Sequence, residues 1–340
     1  MRVRDFMRVS RSGSSWRRVL AAVSLAALAG VAQPAWAQKI TIATGADPNF
    51  GIFYVASDKG IFKKYGLEVE LKTGASGSAQ VPLIISGDVQ LAFGSGGACI
   101  RNHILKPDKV ALFGEGSVLN EYDGVVSTAD IPNLAGLKGK KVGLAVGTGS
   151  EVFFTTLIAR NNMKKEDFEI IPVDAPEMIP ALQRKDIAAY AAWEPWVSRG
   201  VRAVKDTKVL VTSKGIWSPS SFLCGDKEWA SKNPAQAANL MKALAETADW
   251  INANRAEAAK SISQVLKLDL DLTTELVKKC EFRAHFEASS IAAIVDDYEN
   301  LVSRNFAPAN PTKAWWQGFI YDAALKAGAP KNVNFAHPGS

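Results

Sequence analysis

Between Lys138 and Arg160 the chain shows the pattern that most restricts its fold. A basic lead-in (Lys138, Lys140, Lys141) passes into a short apolar run, 142–146, then into the tight turn Gly147-Thr148-Gly149-Ser150, then into helix-compatible residues 151–160. A strand feeding a helix through a small-residue turn leaves the first helical N–H groups unpaired, with the positive end of the helix dipole behind them. Such a turn is a seat for a small anion or polar ligand. It is not a nucleotide loop: Gly147 and Gly149 are followed by Val152 rather than by a third glycine, and no Gly-Lys-Ser/Thr follows. A second reading of the same residues is a capping box, Thr148-x-x-Glu151, in which the helix satisfies its own end.

The same arrangement recurs. Strand-like runs at 40–43, 67–71 (strictly alternating, with Glu68 and Glu70 on one face), 89–93 and 110–113 alternate with helical segments. Small Gly/Ser turns stand between strand and helix at 74–78 and 94–97 as well as at 147–150. Alternation of this kind predicts α/β architecture, and turns at the carboxyl ends of parallel strands are where open α/β sheets bind ligands. Residues 114–130, broken by Gly114, Gly116, Asn120 and Gly124, look like a passage between blocks. A second block follows, with strands at 142–146, 168–173, 187–191 and 208–212 and helices at 150–162 and 176–184. A second passage spans 214–221. Past Cys224 the chain turns Ala-rich and helical, over 234–253, 255–266, 271–279, 288–303 and 312–326. Two α/β blocks joined by two crossings predict a bilobed protein with a cleft between the lobes.

Charge is informative only by position. The formal net charge is +6, but residues 1–37 hold Arg2, Arg4, Arg8, Arg11, Arg17 and Arg18 against Asp5, and removing them leaves 34 basic and 33 acidic residues. Nothing in that balance calls for a nucleic-acid partner. The N-terminus reads as a secretory signal: an Arg-rich start, an apolar run over 19–32, and Ala35-Trp36-Ala37 before Gln38 as the cleavage site. Fourteen apolar or small residues are few for a membrane span, and Arg17-Arg18 leaves both general and twin-arginine export open. Cys99, Cys224 and Cys280 form no C-x-x-C, and His103, His285 and His337 lack metal-ligand spacing, so no metal or cofactor is expected. An oxidising compartment would allow one disulfide, but three scattered cysteines read first as small buried core residues.

From Lys39 to Cys224 the motifs resemble those of periplasmic solute-binding proteins of ABC importers, in the taurine-, alkanesulfonate-, nitrate- and thiamine-pyrimidine-precursor-binding group. Four stretches carry the resemblance: the run 54–69 (YVASDKGIFKKYGLEV), the run 85–92 (ISGDVQLA), the run 137–142 (LKGKKV), and Trp193-Glu194-Pro195, which is similar to the Trp-acid-Pro of the sulfonate-type members. One departure stands out: the Asp-Ala pair common in the strand before Trp-acid-Pro is Ala188-Ala189 here. The resemblance implies a type II periplasmic-binding-protein fold with a helical C-terminal tail. Its divisions are a signal peptide over 1–37, a first lobe over 38–125 and 219–340, and a second lobe over 126–218. It also implies a monomeric, non-catalytic periplasmic receptor that carries a small organic anion to permease and ATPase subunits.

By matching motifs, the first lobe is expected to line the cleft with Asn49, Phe50, Ser76, Gly77, Ser78, Ser95, Gly96 and Gly97. The second lobe supplies Thr148, Gly149, Ser150, Trp193 and Glu194, with Trp217 as a further aromatic cover. Ser76, Ser78 and Ser95 have helix capping as their alternative, and Glu194, before Pro195, has a helix start. Arg101, one turn into its helix, reads first as an exposed residue. Trp315-Trp316 reads as a clamp of the tail on the core. The rival functions are an enzyme on the same fold and a periplasmic sensor.

Overall fold

A computed structural model describes residues 39–338; the expected signal peptide lies outside the described residues. Two sheets organise the chain. The seven-stranded sheet holds β1 (Ile40–Thr44), β2 (Val69–Thr73), β3 (Leu91–Ser95), β4 (Val110–Leu119), β10 (Ser220–Asp226), β11 (Cys280–Glu287) and β12 (Val333–Asn334), in the order β12-β11-β4-β10-β3-β1-β2. The five-stranded sheet holds β5 (Asp123–Thr128), β6 (Lys141–Leu144), β7 (Glu169–Pro172), β8 (Ala189–Trp193) and β9 (Thr207–Thr212), in the order β7-β6-β8-β5-β9. In each lobe the strands joined through helices run parallel (β1 with β2 and β3; β6 with β7 and β8), while strands arriving from a crossing pair antiparallel (β10 with β3 and β4; β5 with β8 and β9).

The expected passage over 114–130 is corrected. β4 runs on to Leu119 and β5 starts at Asp123 as an inner strand of the second sheet, so the chain crosses at 120–122. Gly116, read as a breaker, is instead a site of close packing: a Cβ there would lie 2.3 Å from the Phe93 ring. Across the pair, a Cβ at Gly225 would lie 2.4 Å from the Phe113 ring. The return crossing occupies 213–219, and the two run together: Ser213 N donates to Asp123 O at 2.9 Å and Leu119 N to Pro219 O at 2.9 Å.

The tail is also less purely helical than expected. Helices Pro234–Ala253, Arg255–Leu266 and Ala288–Ser303 form where their periodicity places them, but β11 between them joins β4 and β12, and 312–326 splits into Lys313–Phe319 and Ala323–Gly328. β11 alternates Phe282, Ala284 and Phe286 inward with Glu281 and Glu287 outward, a period-2 signal interrupting helical surroundings. A short helix, Trp196–Ala203, follows Trp-Glu-Pro, the helix start given as the alternative for Glu194.

One apolar core serves the first lobe. The second lobe has a core on each face of its sheet: Val125, Leu144 and Phe154 on one, Val126, Met178 and Tyr190 on the other. Adjacent Val125 and Val126 belong to different faces because successive strand side chains alternate. Cys99 and Cys224 form a disulfide with Cα atoms 5.7 Å apart, and Cys280 is free and buried. All three are core residues, as expected, but two of them are also paired.

Candidate functional site

The strand ends and crossings converge on a cleft enclosing about 830 Å³ of space, its mouth included. Of the expected site residues, Asn49, Phe50, Ser76, Gly77, Ser78, Ser95, Gly97, Thr148, Gly149, Ser150, Trp193 and Trp217 line it. Gly96 and Glu194 do not. Gly96 is buried against Asp297, whose Oδ2 would sit 2.3 Å from a Cβ at that position. Glu194 is 3 % exposed and faces away from the cleft. Its Oε2 accepts from Ser198 N at 3.0 Å, holding the start of helix Trp196–Ala203, and its Oε1 meets Lys279 Nζ at 3.2 Å.

The first lobe's serines are largely committed to local structure. Ser76 Oγ accepts from Ala79 N at 3.2 Å and Ser95 Oγ from Ala98 N at 3.3 Å, each capping its helix. Ser78 Oγ accepts from Ser95 N at 3.0 Å. Asn49 ties two strands beneath the cleft: its Nδ2 donates to Ser221 Oγ at 2.9 Å and its Oδ1 accepts from Ser117 Oγ. The N-terminus of helix Gly96–Leu105 is occupied from within the protein, because the Asp297 carboxylate lies against the Gly96 and Gly97 amides.

Helix Gly149–Arg160 is different. Thr148 provides no side-chain cap; its hydroxyl donates to Ala145 O at 2.7 Å. Glu151 turns back past Thr148 to accept from Gly147 N at 2.9 Å. The expected capping box is therefore absent, and the first amides of this helix stand without a side-chain partner at the cleft wall. Trp217 packs over the turn, close enough that a Cβ at Gly149 would meet it at 3.0 Å, and stacks on Phe153 with ring planes 6° apart.

Several lining residues were not expected. Asp47 and Asp123, 3 % and 4 % exposed, bring buried carboxyl groups to the cleft wall. Asp47 is well held: Oδ1 accepts from Asn49 N at 2.9 Å, and Oδ2 accepts from Trp193 Nε1 at 3.1 Å, across the lobes. Burial pushes its pKa up to about 7 despite these bonds. Asp123 is raised to about 8, again by burial first, with the negative charges of Glu194 and Asp47 adding to it. Asp47 sat in a turn legible in the sequence; Asp123 was hidden in the supposed passage.

Two arginines also reach the cleft and bridge the lobes. Arg101, expected on the surface, donates from Nη2 to Gly147 O at 2.8 Å. Arg304, from the end of helix Ala288–Ser303, meets Glu151 Oε1 at 2.6 Å. Trp315 and Trp316 lie away from the cleft, against Tyr298 with ring centroids 4.8 and 5.3 Å distant.

Two α/β lobes, two crossings and a shared cleft define the periplasmic-binding-protein fold. Its likeness to a solved member is direct: the alkanesulfonate-binding protein SsuA from Xanthomonas axonopodis pv. citri, bound to MOPS, superimposes with a TM-score of 0.69 at 14% identity, covering 79% of this chain and 94% of that one. The chain belongs to the NMT1/THI5-like family, whose profile matches residues 47–258. Among its relatives, a protein of Brucella abortus (strain 2308) named as a binding protein is 26% identical over 267 residues, covering 76% of this chain and 82% of that protein. A Saccharomyces cerevisiae 4-amino-5-hydroxymethyl-2-methylpyrimidine phosphate synthase is 24% identical over 254 residues, covering 69% of this chain and 73% of the yeast protein.

Proposed function

We propose that the mature chain is a periplasmic receptor of an ABC importer. It captures a small organic solute bearing an acid group, sulfonate or carboxylate, between its lobes and delivers it to the membrane permease. The observation that carries this reading is the uncapped start of helix Gly149–Arg160 facing the first lobe across the cleft. Its amides and dipole suit an oxygen anion, and Phe50, Trp193 and Trp217 suit the apolar remainder of the solute. The Arg101–Gly147 and Arg304–Glu151 contacts join the lobes only when the jaws are together, as a closing receptor requires. The buried Cys99–Cys224 disulfide suits an exported chain, and no helix among the described residues is long and apolar enough to cross a membrane.

The yeast relative's name supports an enzyme as the second reading. Against it, among the described residues no histidine and no free cysteine lines the cleft: His103 turns its ring to Val110 O, His285 to Glu115, and Cys280 is fully buried behind the lining residue Tyr122. Thermal-shift screening of the mature protein with sulfonates, carboxylates, nitrate and pyrimidines tests the proposal. A raised melting temperature with the solute recovered unchanged supports the receptor. Turnover of a bound solute establishes the enzyme instead.

A further inference from the structure

The polar groups around the cleft are unequally satisfied. Ser76, Ser78, Ser95 and Asn49 are spent on caps and strand ties, Asp297 on the Gly96 and Gly97 amides, and both arginines on the opposite lobe. Asp47 uses both oxygens. The Asp123 carboxylate, 4 % exposed, has a single partner among the described residues, Ser150 Oγ at 3.5 Å, which is the outer limit of a hydrogen bond. Among the described residues no cation forms an ion pair with it, and the charges that act on it are the negative ones of Glu194 and Asp47. A second acceptor lining the cleft, Asn300 Oδ1 of the first lobe, is buried with no donor among the described residues. Burying acceptors without donors is costly, and a buried carboxylate without a partner is the most costly kind.

We infer that the solute carries a hydrogen-bond-donating nitrogen, an ammonium or an amino or amidine N–H, which it presents to Asp123. Resting on the receptor reading above, the inference adds the second half of the solute's chemistry. Asp123 is the specificity-determining residue for that nitrogen. It stands directly across the β5–β8 ladder from Trp193, so the nitrogen enters beside an aromatic ring that favours positive charge. Ser150, the second residue of helix Gly149–Arg160, touches Asp123, so the acid and nitrogen ends of the solute lie only a few bonds apart.

Burial explains why an empty site tolerates this arrangement. With its proton affinity raised to about 8, Asp123 is mostly uncharged near neutral pH, and the nitrogen of the solute replaces that proton on binding.

The test is calorimetric titration of the mature protein with matched pairs: ethanesulfonate against 2-aminoethanesulfonate, propionate against 3-aminopropionate, and pyrimidine against 4-aminopyrimidine. At least one aminated member is expected to bind about tenfold or more tightly than its partner. Asp123→Asn, nearly isosteric, is expected to abolish that preference and leave the weak affinity for the plain partner. Melting and circular dichroism establish that the variant is folded, and the wild-type pairs decide the matter on their own if it is not. Plain members binding as tightly as aminated ones would overturn the nitrogen inference and leave the receptor standing. No binding by any member, with no thermal shift from the wider anion screen, would overturn the receptor reading and this inference with it.

Discussion

Cutting the Cys99–Cys224 bond is expected to destabilise the protein without changing what it binds. The two cysteines are 125 residues apart in sequence. One lies in helix Gly96–Leu105 and the other in β10, both of the first lobe, so the bond closes a loop that contains the whole second lobe. In the chain-entropy account, a loop of that length removes about 16 cal/mol/K from the unfolded ensemble, or about 5 kcal/mol at 25 °C, as an upper figure. For about 300 ordered residues the unfolding entropy is roughly 0.6 kcal/mol per kelvin, so the melting temperature should fall by about 4–8 °C. The comparison is between protein refolded oxidised and protein refolded with a reductant present, which avoids the cavity that an alanine pair would leave. Solute affinity should stay within about twofold, because neither cysteine lines the cleft. The native bond, with both cysteines fully buried, should also resist reductant until the protein unfolds. Equal melting temperatures for the two forms would refute the reasoning, as would three titratable thiols in the unreduced, unfolded chain.

Three further expectations follow from the site and its supports. Arg304→Met removes the 2.6 Å contact with Glu151 that ties the lobes; losing a charge-assisted bond should weaken solute binding by about 10- to 100-fold. Small-angle scattering should then show a more open protein at a given solute concentration, and unchanged affinity would make the contact ornamental to closure. Gly77→Ala places a Cβ 1.7 Å from Phe93 O, so the turn must shift from β3, at a cost of about 2–4 kcal/mol by chemical denaturation; an alanine variant of normal stability would contradict the packing. Asp47 and Asp123, at about 7 and about 8, hold protons in the folded protein that the unfolded chain releases near pH 4. The solute-free protein should therefore lose stability as pH rises from about 4 to about 8 and level off above. Asp123→Asn should flatten the upper part of that decline in thermal melts, and a variant that keeps the full slope would remove Asp123 as its source.

Much of the fold was legible because it is local. The strand–turn–helix units, the three small-residue turns and the long helices past Cys224 follow from periodicity and glycine placement, which neighbouring residues settle among themselves. Most of the cleft's backbone was legible for the same reason, since a strand end with a glycine turn is visible wherever it occurs. What failed to show was non-local. Gly116 read as a break because the ring of Phe93, 23 residues earlier in the chain, is what makes glycine necessary in this strand. β11 was overlooked between helices because its pairing partner, β4, lies far away in sequence.

The chain by itself determined that there would be two α/β lobes and a cleft edged by Gly/Ser turns. Only the tertiary structure decided which helix ends are open. The turn at 147–150 and the turn at 94–97 look alike as strings, yet Asp297 fills one from a distant helix, while Glu151 bypasses Thr148 and leaves the other uncapped. Likewise, no local pattern marks Asp123 as a buried acceptor with a single long hydrogen bond, because that depends on which side chains from other elements come near it. Local sequence sets the geometry of a turn; the hydrogen-bond balance of a site is fixed by everything folded around it.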